Sequence, residues 1–241
     1  SNPNLNITDL AFIGQLGKDK GITTMVDNTF ASPINQTPKD FGIDIVIHSA
    51  TKYLGGHSDL TAGAVCGTKE YINKVWRRSL VLGASLSPFD SWLLLRGLKT
   101  LALRVDQINK NALALAQYLN SHKAIKKVIY VGLPNHAQYE LAKSQMKGFT
   151  GMLCIEVAGN NEEEEFKNAQ TILGNLRIFV NAASLGGVES LVVHPASMWG
   201  SHHSKEQKET SGITRGMLRI SVGIEHIDDI IADWEQAISK L

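Results

Sequence analysis

Two β-prone segments of the sequence each end in side chains that can do chemistry. The first ends at Asp27, and the second is followed by three groups within four residues: Ser49, Thr51 and Lys52. A carboxylate can hold a proton on a ring nitrogen, hydroxyls can bind phosphate oxygens, and an amine can attack a carbonyl carbon. Open α/β sheets bind ligands beyond the carboxyl ends of their strands, so we expect these groups to share a site.

These groups together match what pyridoxal phosphate (PLP) requires of a protein. Asp27 would keep the pyridine nitrogen protonated, and Lys52 would bind the aldehyde carbon. Ser49 and Thr51 would donate to the phosphate. Singly, each residue has a simpler interpretation, because a lysine after a strand is usually exposed and an aspartate there usually forms a turn. Spacing alone leaves both interpretations open, since many functions share this fold class.

The first hundred residues predict alternating helices and strands. A helix is expected from Thr8 to Lys20, capped by Thr8 or Asp9 and ended by Gly21. Strands are expected at residues 23–26, 43–48 and 62–66. Apolar strands interleaved with helices favour an α/β fold with a mostly parallel sheet covered on both faces.

A second, smaller α+β domain is expected after a long connecting helix. Ser87, Pro88 and Asp90 form a strong helix start. The helical pattern continues to Leu119, with a bend expected at Gly97. Further strands are expected at residues 128–131, 152–157, 178–182, 191–194 and 218–222, and helices at 163–173 and 227–241. We therefore divide the chain at 1–110 and 111–241.

Composition excludes several classes of function. The net charge is +1, with 24 basic against 23 acidic residues, so neither nucleic acid nor a membrane surface is an expected partner. No apolar run approaches the length of a membrane span. Cys66 and Cys154 both lie in apolar stretches and are expected to be reduced core thiols, which favours a cytoplasmic protein. The eight histidines, including the adjacent His202 and His203, show no metal-ligand spacing.

Three longer motifs resemble a known enzyme family. They are Val26-Asp27-Asn28-Thr29-Phe30, the run from His48 to Asp59 that contains Lys52, and Ser184-Leu185-Gly186-Gly187-Val188-Glu189-Ser190-Leu191. Together they resemble the PLP-dependent enzymes of Cys/Met metabolism, which include cystathionine γ-synthase, cystathionine γ-lyase, methionine γ-lyase and the homoserine sulfhydrylases. The resemblance extends over essentially the whole chain. It implies the C-terminal portion of an aminotransferase-like (type I) PLP fold.

The resemblance implies a role for each cofactor-binding residue. Lys52 is the catalytic lysine that binds PLP covalently, and Asp27 pairs with the pyridine nitrogen. Ser49 and Thr51 contact the phosphate. Asn2 lies near the phenolic oxygen of the cofactor and near the substrate carboxylate.

The same resemblance implies that Arg219 clamps the substrate carboxylate and that Ser184 lines this site, largely through its backbone. The residue types agree for Arg219, because an arginine within an apolar strand needs an anionic partner and a carboxylate fits its planar fork. A structural salt bridge is the alternative.

The implied reaction is a γ-elimination from a sulfur amino acid that yields a 2-oxo acid, ammonia and a thiol. The alternatives are γ-replacement by a thiol, or a catalytically incomplete fragment with no turnover as it stands.

The family's N-terminal part, with its phosphate-binding turn and stacking tyrosine, has no counterpart here, so we expect the sequence to be part of a longer protein. Ala183 stands where several cystathionine-handling members carry an acidic residue, and the run from His194 to Met198 resembles the methionine γ-lyases. A homo-oligomer, a dimer or tetramer, is also implied.

Overall fold

The computed structural model describes residues 1–198 and 212–241. The helices are α1 (Leu10–Lys20), α2 (Ser32–Asn35), α3 (Lys69–Leu82), α4 (Pro88–Leu98), α5 (Leu101–Asn120), α6 (Tyr139–Gln145), α7 (Glu162–Asn175), α8 (Pro195–Met198) and α9 (Ile227–Ile238), with a 3-10 turn at Pro38–Phe41. The strands are β1 (Met25–Asp27), β2 (Ile45–Ser49), β3 (Gly63–Cys66), β4 (Ile125–Ile129), β5 (Met152–Val157), β6 (Val180–Asn181), β7 (Leu191–Val193) and β8 (Met217–Ser221). None of the helices in these two ranges is both long and apolar enough to cross a bilayer.

The first sheet brings two of the predicted site segments to one edge. Its strand order is β1-β2-β3. The first two strands are parallel, with Asp27 opposite Ile47, and β3 returns antiparallel with Gly63 opposite Ser49. The expected parallel pairing therefore holds for β1 and β2 and not for β3. Because β1 and β2 run in the same direction, the chain leaves both at the same edge, next to Asp27 and Ser49.

Two helix boundaries form as their end residues predict. The carboxylate of Asp9 caps α1 by accepting from the Phe12 amide at 2.9 Å, and Gly21 ends the helix at a φ of 62°. The hydroxyl of Ser87 caps α4 by accepting from the Asp90 amide at 3.0 Å. These bonds satisfy backbone groups that a helix end leaves without intrahelical partners.

The predicted long helix is two helices. α4 ends at Leu98 and α5 begins at Leu101, so the helix is interrupted close to Gly97, where a bend was expected. A Cβ atom on Gly97 would lie 2.3 Å from the carbonyl oxygen of Gly55. Gly97 therefore permits close contact between the end of α4 and the segment that follows Lys52.

The second sheet forms the other half of the molecule. Its strand order is β4-β5-β8-β7-β6, and only β6 and β7 are parallel. Trp234 of α9 is fully buried beneath it and meets the ring of Phe179 edge-on at 5.5 Å.

The strand predicted at 152–157 is confirmed, whereas the one at 178–182 shortens to β6. Helices α3 and α6 were not predicted.

The predicted division at residue 110 falls within α5. Val105 and Ile108 pack in a cluster with Tyr53, whereas Leu115 packs in a second cluster with Trp234. One helix thus belongs to both cores, and the division into two domains stays a prediction.

One expectation about burial is wrong. Cys66 is exposed because β3 is an edge strand, whereas Cys154 is buried in β5, and burial raises the pKa of its thiol to about 12. Glu165 lies in the first turn of α7. It is buried, and its carboxylate lies 2.7 Å from the ammonium group of Lys126.

Candidate active site

The loops that follow β1 and β2 are joined through Thr29. The Ser49 amide donates to the hydroxyl of Thr29 at 2.8 Å, and the Thr29 amide donates to the carboxylate of Asp27 at 2.9 Å. Asp27 itself is exposed, so its carboxylate can meet a ligand. One threonine thus orients both the predicted ring-binding carboxylate and the predicted phosphate-binding loop. Residue type and spacing do not indicate this role, although Thr29 lies within a motif that carries the family resemblance.

Asn28 holds the rest of this loop from below. Its side chain is buried, donates to the carbonyl oxygens of Ser32 and Gln36 at 3.1 and 3.0 Å, and accepts from the Gln36 side chain at 2.7 Å. A fully bonded buried amide of this kind fixes a loop in one conformation. Asp27 is consequently presented by a rigid segment.

Lys52 lies in a partly buried position beside a residue distant in sequence. Its ammonium group donates to the hydroxyl of Ser184 at 2.8 Å. Burial, and then the positive charge of Arg219, lower the pKa of Lys52. Both effects favour the neutral amine, which is the form that attacks a carbonyl carbon and accepts a proton.

Arg219 brings Asn2 and Ser184 to the same place. Its buried guanidinium donates to the side-chain oxygen of Asn2 at 3.3 Å and to the carbonyl oxygens of Ala183 and Ser184 at 3.0 and 3.1 Å. Burial lowers the pKa of Arg219. These three contacts are to neutral oxygens. Lys52, Ser184, Arg219 and Asn2 therefore form one connected group.

Thr51 differs from the expected phosphate ligand in its present contacts. Its hydroxyl donates to the carbonyl oxygen of Ala62 at 3.3 Å and accepts from the Ala62 amide at 3.0 Å. The hydroxyl thus holds the turn against the segment that leads into β3. Phosphate binding by Ser49 and Thr51 stays a prediction, and Thr51 would have to exchange its bond to Ala62 for one to the phosphate.

In residues 1–198 and 212–241, no group of three or more His, Cys, Asp or Glu side chains is placed so that it could hold a metal ion. His202 and His203 lie outside the described residues.

A family model described as Cys/Met metabolism PLP-dependent enzyme matches residues 1–239. The chain belongs to this family. Among curated members, the L-methionine γ-lyase of Fusobacterium nucleatum subsp. nucleatum is 43% identical over 100% of this chain and 60% of its own length. The cystathionine β-lyase of Coxiella burnetii is 46% identical over 99% and 61%. The chain thus spans about three fifths of the length of these family members.

Solved structures of family members agree in fold. Cystathionine γ-synthase from Xanthomonas oryzae pv. oryzae, in complex with aminoacrylate and cysteine, has a TM-score of 0.93 at 42% identity, over 100% of this chain and 61% of that one. Cystathionine γ-lyase from Lactobacillus plantarum, complexed with L-serine, has a TM-score of 0.92 at 40% identity, over 99% and 61%. The type I assignment and the membership of a PLP-dependent family are therefore confirmed.

The site residues fit the family's cofactor. PLP needs an amine, a carboxylate and a hydroxyl group. Lys52 offers an amine of lowered pKa, Asp27 an exposed carboxylate and Ser49 a hydroxyl on a short side chain. The buried His48 of β2 has a lowered pKa because of burial, and the charge of Asp27 opposes that shift. Within the described residues, the Nδ1 atom of His48 has no hydrogen-bond partner.

Proposed function

We propose that the whole protein is a PLP-dependent carbon–sulfur lyase that cleaves a sulfur amino acid to a 2-oxo acid, ammonia and a thiol. The observation that carries the proposal is the contact of Lys52 with Ser184, whose carbonyl oxygen is in turn held by Arg219. One residue thereby links the amine that does chemistry to the group that would bind the substrate carboxylate. The names of the methionine γ-lyase and cystathionine β-lyase relatives support the same reaction class.

Each site residue has a defined task in this proposal. Bound PLP supplies a protonated ring that withdraws electrons from the α-carbon of the substrate. Asp27 holds the proton on that ring, and Ser49 with Thr51 binds the phosphate. Lys52, whose pKa burial and the charge of Arg219 lower, takes the α-proton. Ser184 keeps the amine of Lys52 oriented toward that proton.

Arg219 and Asn2 would bind the α-carboxylate, so that the α-carbon faces Lys52. Ala183 next to them carries no charge that would attract a distal amino group on the substrate. This favours methionine or homocysteine over cystathionine.

A γ-replacement reaction is the second candidate. It is favoured by the similarity to cystathionine γ-synthase, at 42% identity with a TM-score of 0.93. The two candidates differ in whether a thiol acceptor is needed.

The test is to incubate the whole protein and PLP with methionine, homocysteine, cystathionine or an O-acylhomoserine, each with and without an added thiol. We expect 2-oxo acid and ammonia from methionine or homocysteine without any acceptor. Product that forms only with the thiol would instead establish replacement, and no product from any substrate would contradict both candidates. A protein of residues 1–241 alone, assayed in parallel, is expected to turn over nothing, because its identified groups provide few donors for a phosphate of about two negative charges.

We also propose that the whole protein is a cytoplasmic homo-oligomer, a dimer or tetramer. In the described structure α3 buries no residue. Large apolar side chains are exposed on α3 and α4: Val75, Trp76, Leu80, Val81, Leu82, Phe89, Trp92 and Leu95. Exposed apolar surface of this kind usually marks an interaction site.

Sedimentation of the whole protein is therefore expected to give a dimer or a larger species. Trp76→Glu and Trp92→Glu should shift it toward smaller species, because each places a charge where apolar contact is expected. Phe12→Glu, at an exposed aromatic residue on α1, serves as the control and should leave the assembly intact. A monomer with full activity, or equal disruption by all three variants, would contradict the proposal.

A further inference from the structure

Arg104 is a buried arginine whose bonding partners are neutral. It lies on α5 with 4% of its surface exposed. The guanidinium donates to the carbonyl oxygens of Tyr53 and Gly97, both at 2.8 Å, and to the hydroxyl of Thr100 at 3.1 Å, with a longer contact of 3.5 Å to the carbonyl oxygen of Leu54. Burial lowers its pKa. Taking a guanidinium out of water is costly, and hydrogen bonds to these oxygens are what offset that cost.

The carbonyl oxygens of Tyr53 and Leu54 belong to the turn that directly follows Lys52. Within this turn, the Gly55 amide donates to the Ala50 carbonyl and the Gly56 amide to the Lys52 carbonyl, both at 2.8 Å. The Tyr53 and Leu54 carbonyls lie between these bonds and point to Arg104. The guanidinium therefore completes the hydrogen bonding of the turn.

The packing around this turn leaves no room for it to move toward Arg104. A Cβ atom on Gly56, whose φ is +76°, would lie 1.9 Å from a guanidinium nitrogen of Arg104. A Cβ atom on Gly97 would meet the Gly55 carbonyl oxygen. Two glycines thus permit the arginine, the turn and the end of α4 to approach one another.

The same turn is bonded to the segment that contains Ser184. The Val188 amide donates to the Gly56 carbonyl oxygen at 2.9 Å, and Gly186 lies directly against Tyr53. The position of the turn consequently determines whether the amine of Lys52 reaches the hydroxyl of Ser184.

We propose that Arg104 is a positioning residue for Lys52: it holds the turn of residues 53–56 between α4 and the Ser184 segment, and so keeps the Lys52 amine partly buried beside Ser184. The proposal rests on the proposed function, in which Lys52 is the reactive amine. Arg104 itself touches neither substrate nor cofactor in this role.

The test measures the pH dependence of labelling of Lys52 by a small amine-selective reagent, in the cofactor-free whole protein, by peptide mapping. In the unsubstituted protein the midpoint should lie below the ordinary lysine value, because burial and Arg219 lower the pKa of Lys52. Arg104→Met removes every hydrogen-bond donor of the guanidinium, so the turn loosens and the amine of Lys52 becomes hydrated. We expect its midpoint to rise by roughly one pH unit, within the range that partial burial produces.

Two further variants separate positioning from charge and from general stability. Arg104→Lys keeps the charge but offers a single nitrogen in place of the planar fork that bonds to Tyr53, Gly97 and Thr100, so a smaller rise is expected that lost charge cannot explain. Ile172→Ala, in the core beneath the second sheet, should lower the unfolding temperature and leave the Lys52 midpoint unchanged.

An Arg104→Met midpoint equal to that of the unsubstituted protein would overturn the proposal, as would an equal shift in Ile172→Ala. If Arg104→Met does not fold, Arg104→Lys decides, and an unchanged midpoint in that variant overturns the proposal. Borohydride reduction of the unsubstituted protein with PLP keeps the two proposals distinguishable. Failure to label Lys52 there counts against the proposed function, whereas normal labelling with an unmoved Arg104→Met midpoint counts only against the role of Arg104.

Discussion

Lys52→Ala in the whole protein should abolish covalent binding of PLP and reduce turnover by roughly 10²–10⁴-fold or more, since proton transfer by a positioned side chain alone contributes about that much. The expectation follows from the lowered pKa of Lys52 and from its contact with Ser184. Both observations describe an amine prepared for reaction. The measurement is borohydride reduction in the presence of PLP, followed by peptide mapping and a turnover assay.

Lys18→Ala is the matched control, because Lys18 is an exposed lysine of α1 in the same half of the molecule. It should retain both the label on Lys52 and the turnover of the unsubstituted protein. A borohydride-stable label on any other lysine of the unsubstituted protein, with none on Lys52, would refute the assignment.

Arg219→Ala should weaken binding of an amino-acid substrate about ten- to hundredfold. Hydrogen bonds to a charged group contribute about 1.5–3 kcal/mol, and each 1.4 kcal/mol is a factor of ten in affinity. Arg219 is the buried guanidinium already bonded to Asn2 and to the Ala183 and Ser184 carbonyls. Its loss removes the positive charge expected to meet the substrate carboxylate. The affinity of Arg219→Lys should lie between those of the unsubstituted protein and Arg219→Ala, because one ammonium group cannot reproduce a bidentate contact.

The removal of a buried arginine also disturbs packing, so binding must be compared between two ligands. One is an inhibitory substrate analogue with its carboxylate, and the other is the same molecule with that carboxylate replaced by a neutral amide. The unsubstituted protein should prefer the acid, and Arg219→Ala should lose most of this preference. Equal weakening toward both ligands would show that Arg219 acts on the fold and not on the carboxylate.

Local features of the fold were predictable because they depend on neighbours in sequence. The caps at Asp9 and Ser87 formed as expected, since a side-chain oxygen bonds to an amide only three residues away. Asp27 and Ser49 ended their strands at one sheet edge because apolar runs that alternate with helices favour parallel pairing. Burial was less predictable: Cys66 lies in an apolar run, yet it is exposed because its strand is at an edge.

By itself, the sequence predicted which residues would carry the chemistry: a carboxylate, two hydroxyls and an amine at or just after the ends of two strands. The tertiary structure alone decided which of them meet. Lys52 and Ser184 are 132 residues apart, and Arg219 and Asn2 are 217 apart, so no local pattern relates them. It also decided the place of Arg104, which the helical pattern of α5 did not distinguish from any other charged residue. The physical reason is that hydrogen bonds between distant segments form only when the buried cores bring those segments together, and the helical and strand periods of each segment do not specify that packing.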